Sequence, residues 1–121
     1  MISAPDSAYI PLIVKRLKAI NPHKIILFGS YAYGRPDADS DIDLVVILNQ
    51  QGRAKTYREK FQNRMTVGEC LLDIEREVPL DTLVYTLDEW NLFLSRNSSF
   101  SRHLSNRGRV LYEANNPGMA Q

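Results

Sequence analysis

Asp41 and Asp43 stand two residues apart at the head of Leu44-Val45-Val46-Ile47-Leu48, a run that is apolar throughout. On an extended strand, residues i and i+2 share a face. Two residues of rise put the carboxylates about 6 to 7 Å apart along the chain. Hard oxygen donors placed so sparsely suit Mg²⁺, which keeps several waters and usually takes one or two protein carboxylates together with substrate phosphates. Two such ions about 4 Å apart serve in-line displacement at phosphorus, a spacing that an i, i+2 aspartate pair can bridge. Taken alone, Asp-x-Asp is a weak pattern, because solvated turns also favour aspartate.

Gly29-Ser30 supplies the complementary half of such a site. The pair follows Ile25-Ile26-Leu27-Phe28, an apolar run rich in strand formers, and so falls where a strand ends and a helical turn begins. Backbone amides at such a junction can point at phosphate oxygens. Gly29 lets the backbone approach closely, and Ser30 offers a hydroxyl donor or an N-cap for the turn. On this reading a branched side chain at Gly29 blocks the phosphates, so Gly29→Val is expected to weaken triphosphate binding more than it disturbs the metal ligands.

The elements that must position these groups follow from periodicity. Tyr9, Leu12, Ile13, Leu17 and Ile20 recur at helical spacing between Pro5-Asp6 and Asn21-Pro22, which predicts an amphipathic helix. A buried strand is expected over Lys24 to Phe28, a turn or short helix and loop over Tyr31 to Ser40, and a second strand from Asp41 to Leu48. Phe61, Met65, Gly68 and Leu72, with Leu71, Ile74 and Val78, fit a helix from about residue 57 to 77, weakened at Gly68 and stopped by Pro79. A third strand follows from Asp81 to Tyr85. Thr86-Leu87-Asp88-Glu89 has capping-box spacing and opens a helix through Trp90, Leu92 and Phe93. A short helix from Phe100 to Asn106, ended by Gly108, leads to an edge strand at Val110-Leu111-Tyr112. The expected organisation is one domain over 1–114 with a flexible tail over 115–121.

Composition narrows the function classes. The chain has 121 residues, 44% apolar and 24% charged, as one soluble domain requires. Its net charge of +1 is too small for a general nucleic-acid binder. No run approaches the roughly 18 apolar residues of a membrane span, and the N-terminus lacks a secretory layout, so a cytoplasmic location is expected. Cys70, the single cysteine, reads as an inert buried thiol. His23 and His103 are isolated and read as surface or helix-end residues, and Trp90 and Phe93 as core rather than a base-stacking platform. Asp37, Asp39, Asp41 and Asp43 precede a basic stretch containing Arg53, Lys55, Arg58, Lys60 and Arg64. That stretch, like Arg96, Arg102, Arg107 and Arg109, reads first as a solvated face.

Gly29-Ser30, ten residues, then Asp41-Ile42-Asp43 resembles the signature of the DNA polymerase beta-type nucleotidyltransferase superfamily. The stretch ILFGSYAYGRPDADSDIDLVVIL closely resembles the minimal nucleotidyltransferases, chains of about this length that often work beside a separate HEPN-domain protein as the antitoxin-like member of a toxin–antitoxin pair. The resemblance implies an α/β fold of the polymerase beta type, a small mixed sheet with helices packed mainly on one side. It also implies a third carboxylate on a later strand, matched here by Asp81. Asp41 and Asp43 would then hold two Mg²⁺ ions, with Asp81 completing one site and able to take a proton from the acceptor. ATP or another nucleoside triphosphate would be the donor, and a hydroxyl on a HEPN-type partner the acceptor. Two alternatives stay open: an antitoxin that neutralises a HEPN RNase by binding alone, and a small-molecule transferase of the aminoglycoside kind, whose relatives usually bring a second domain. An oligomer is compatible with either. One departure stands out: many relatives read Gly-Ser-x-Ala-Arg-Gly, and this chain has Tyr33 in place of the arginine. Arg35, two positions later, is a candidate substitute, and Gly34 supplies turn geometry.

Overall fold

Five of the six residues of β2 (Ile42–Ile47) are buried, and the exception is Asp43. Ile42, Leu44 and Val46 join one hydrophobic cluster, whereas Val45 and Ile47 join another. A strand apolar on both faces must lie between two layers, and the computed structural model, which describes residues 4–32, 41–52 and 56–114, shows both. β1 (Lys24–Phe28) runs antiparallel to β2, and β3 (Leu80–Tyr85) runs parallel to it on the other side. β4 (Arg109–Glu113) pairs antiparallel with β1, with a register shift between Ile25 and Ile26. The order β3-β2-β1-β4 makes the small mixed sheet that the resemblance implies.

The larger core lies on one face, where Ile13 and Leu17 of α1 (Ala4–Leu17), Val67 of α2 (Tyr57–Cys70) and Ile74 of α3 (Leu72–Glu75) meet the sheet. The second face is covered as well. Trp90 of α4 (Leu87–Ser95) and Leu104 of α5 (Ser99–Arg107) close over Ile26, Val45 and Ile47. Trp90 and Phe93 stack at 5.3 Å, and Phe93 links through Phe100, at 5.8 Å, to Phe28. These aromatics serve the core, as the sequence suggests. Cys70, expected to be buried, is half-buried against the larger cluster, and burial, then the charge of Glu69, pushes its thiol pKa up, which disfavours the thiolate. No described helix is long and apolar enough to cross a membrane.

Two local readings differ from the structure. The helix expected from about residue 57 to 77 breaks at Leu71, whose N–H donates to Gly68 O at 3.1 Å, and resumes as the single turn of α3. A glycine in a helix costs about 1 kcal/mol relative to alanine, and a Cβ at Gly68 would touch nothing within 4 Å, so packing does not demand the glycine. The apolar face also divides. Val67, Leu71, Ile74 and Val78 are buried, whereas Phe61, Met65 and Leu72 are exposed, as is Tyr57 at 78%. Rows one residue apart on a helix are displaced by about 100°, so only one of them can meet the sheet.

The capping box forms as its spacing predicts. Thr86 N–H donates to Glu89 Oε1 at 2.9 Å, and Glu89 N–H donates to Thr86 Oγ1 at 3.2 Å. Thr86 is only 2% exposed, so neither group has water as a substitute. Thr86→Ala is therefore expected to lower stability by about 1 to 2 kcal/mol in urea unfolding, with Thr86→Ser retaining most of it.

Candidate active site

β1 ends at Phe28, and the next four residues form a turn closed by Ala32 N–H donating to Gly29 O at 3.0 Å. Tyr31 pins this turn, since its ring is buried in the larger core. Sequence reasoning passed over Tyr31, although an aromatic two residues beyond a strand-ending glycine is a visible signal for such an anchor. Gly29 takes a φ of +77°, the left-handed region that side chains resist.

What faces Gly29 is Asp43. The β1–β2 register pairs Phe28 with Asp43, which brings the carboxylate over the neighbouring glycine. A Cβ at Gly29 would overlap Asp43 Oδ2 and lie 3.0 Å from its Cγ. The expectation that Gly29→Val spares the metal ligands is therefore corrected. A side chain that blocks the phosphate turn would strike the aspartate first.

Asp81 arrives from the other side. β2 and β3 pair Asp43 directly with Asp81, and neighbouring strands lie about 4.8 Å apart. Leu80 and Val84 pack on the larger core while Leu83 and Tyr85 pack on the smaller, so strand alternation puts Asp81 on the same face as Asp43. Asp41 is exposed just before β2. Asp43 and Asp81 thus meet where two parallel strands begin, with Asp41 two residues ahead of Asp43, Gly29 against Asp43 and the half-buried Ser30 next in the chain.

The electrostatics agree with a cation at this place. Burial first, then the charges of Asp81 and Asp41, pushes the Asp43 carboxyl above its ordinary 3.8. Among the described residues, no group of three acidic, histidine or cysteine side chains is placed to hold a metal ion by itself. The Asp43 and Asp81 pair would still suit Mg²⁺, which takes one or two protein carboxylates and completes its shell with water and substrate phosphates. Tyr33, Gly34, Arg35, Asp37, Asp39, Arg53, Lys55 and the tail over 115–121 lie outside the described residues.

Carboxylates on adjacent strand ends beside a glycine-led turn are a layout that suits transfer of nucleotidyl or phosphoryl groups. The family model described as polymerase beta, nucleotidyltransferase matches residues 12–117, and the chain belongs to that family. The curated proteins give no significant match. Among solved structures, a toxin–antitoxin complex with AMP-PNP is similar at 19% identity and a TM-score of 0.53, over 92% of this chain and 78% of that one. A Sulfolobus solfataricus protein provisionally described as a nucleotidyltransferase is similar at 12% identity and a TM-score of 0.52, over 87% and 77%. The toxin–antitoxin MntA-HpeT, with two aspartates changed to glutamate, is similar at 18% identity and a TM-score of 0.51, over 92% and 78%.

Proposed function

We propose that this chain transfers a nucleoside monophosphate, most simply AMP from ATP, to a hydroxyl of a partner protein, and thereby acts as the antitoxin to a HEPN-type toxin. The observation that carries the proposal is the direct pairing of Asp43 with Asp81 over Gly29. The toxin–antitoxin neighbours, one of them holding AMP-PNP, support the partner and the nucleotide.

Asp41 and Asp43 would hold two Mg²⁺ ions, with Asp81 completing one site. When bound, those ions neutralise the triphosphate and favour ionisation of the acceptor. The turn at Gly29-Ser30 offers its amides to phosphate oxygens and so orients the donor. A bond forms between the acceptor oxygen and the α-phosphorus, the bond from that phosphorus to the bridging oxygen breaks, and pyrophosphate leaves. Asp81 takes the proton from the acceptor hydroxyl. A tyrosine fits the acceptor role, because its phenol, with an unperturbed pKa of about 10, becomes a competent nucleophile once its proton has an acceptor.

Incubation of the partner toxin with this chain, ATP and Mg²⁺ is expected to add whole AMP units to the toxin, read by intact-mass spectrometry, and Asp41→Asn is expected to remove them. A toxin that binds tightly and never gains mass would replace modification with masking.

A further inference from the structure

We infer that the outer edge of β3 is the docking line for the acceptor segment, an extended tyrosine-bearing stretch of the partner that adds to the sheet as a fifth strand. The inference rests on the partner-directed reading above and says how the hydroxyl reaches Asp81.

Among the described residues, β3 pairs with β2 alone and ends the sheet. Pro79 O accepts from Ile42 N–H at 3.0 Å, and Tyr85 O accepts from Leu48 N–H at 2.8 Å. Strand alternation then directs the backbone of Leu80, Thr82 and Val84 outward. Soluble proteins usually blunt such an edge with lysine, proline or a bulge, yet Leu80–Tyr85 contains neither residue and its pairing with β2 runs without a shift.

A hollow lies beside this edge. The side chains of Leu80, Thr82 and Val84 face Val67, Gly68 and Leu71 across a cavity of about 250 Å³. A second hollow of about 130 Å³ continues it past Val84, with Lys60, Arg64 and Glu89 among its walls, Glu89 Oε1 already accepting from Thr86 N–H. An added strand alternates its side chains between the two faces of the sheet. One set would fill the hollow under α2, and the other would lie on the face that carries Asp81. A tyrosine set opposite Asp81, with an apolar residue on each side of it, meets both demands. An acidic residue toward the far end would answer Lys60 and Arg64. Main-chain pairing for affinity, with alternate side chains for specificity, is the general mode of strand addition.

The test uses the full chain and a synthetic peptide with Val-Tyr-Val at its centre and glutamates at its ends. Hydrogen exchange is expected to slow at the amides of Leu80, Thr82 and Val84 when the peptide binds, and the peptide is expected to gain one AMP. A peptide N-methylated at alternate residues should do neither. Gly68→Leu fills the hollow at a position where a Cβ meets nothing. It should lower kcat/KM for the peptide about tenfold or more, as loss of a central contact does, with Mg-ATP affinity unchanged. Mass gain with unchanged exchange at the edge would overturn the docking line and leave partner modification standing. Edge protection without mass gain would keep the docking line and overturn the tyrosine acceptor. Protection of the same amides in the chain alone, together with a dimer in sedimentation, would assign the edge to a second copy instead.

Discussion

Asp43→Asn is expected to abolish nucleotidyl transfer while raising the melting temperature of the metal-free protein at neutral pH. The loss should reach about a thousandfold, the scale on which removing one preorganised electrostatic partner acts at a reacting centre, and saturating Mg²⁺ should not restore activity. The gain in stability has a separate cause. Burial, then the charges of Asp81 and Asp41, holds the native Asp43 carboxyl above its ordinary 3.8. The native state therefore binds this proton more tightly than the unfolded chain. Its stabilising effect is fully present below 3.8 and is lost as pH rises through the raised native value. Asparagine carries no such charge, so the advantage of the variant should be absent near pH 3 and complete by pH 7. Mg²⁺ should narrow the difference at neutral pH by binding the native wild type. Asp41→Asn should lose transfer equally and change stability less, because Asp41 is exposed. Transfer, with thermal unfolding in chelator across the pH range, checks both. Full activity in either variant would remove the two-metal assignment.

Gly29→Val is expected to lose Mg-ATP binding and transfer together and to destabilise the fold by about 2 to 4 kcal/mol, in the range of backbone strain combined with steric overlap. A β-branched residue at a φ of +77° is strained whatever surrounds it. Its Cβ would in addition collide with the Asp43 carboxylate. The two contributions separate in a double-mutant cycle. Gly29→Ala should cost less in an Asp43→Ala background than in the wild type, because removing the carboxylate leaves only the strain. Urea unfolding of the four proteins, with calorimetry of ATP binding, gives the comparison. Additive effects would mean that glycine and aspartate do not touch.

The sequence alone specified what depends on near neighbours. β1 occupies Lys24–Phe28, as its apolar run and closing glycine predict, because a buried strand and its terminator are encoded in adjacent residues. The capping box at Thr86 and Glu89 forms because its partners are three positions apart. Asp41, expected to share the strand with Asp43, stands just ahead of β2, close enough for its charge to act on the Asp43 carboxyl. Asp81 was different. Resemblance alone singled it out, because nothing near it in the chain signals which strand it will lie against, and only the parallel register sets it opposite Asp43. The division of the α2 face was equally hidden, since two apolar rows fit the helix and the direction of the sheet chooses between them. The contact of Gly29 with Asp43 was decided last and only in three dimensions. It exists because β1 and β2 pair with Phe28 opposite Asp43, and strand register is a relation between distant segments that no local pattern of residues contains.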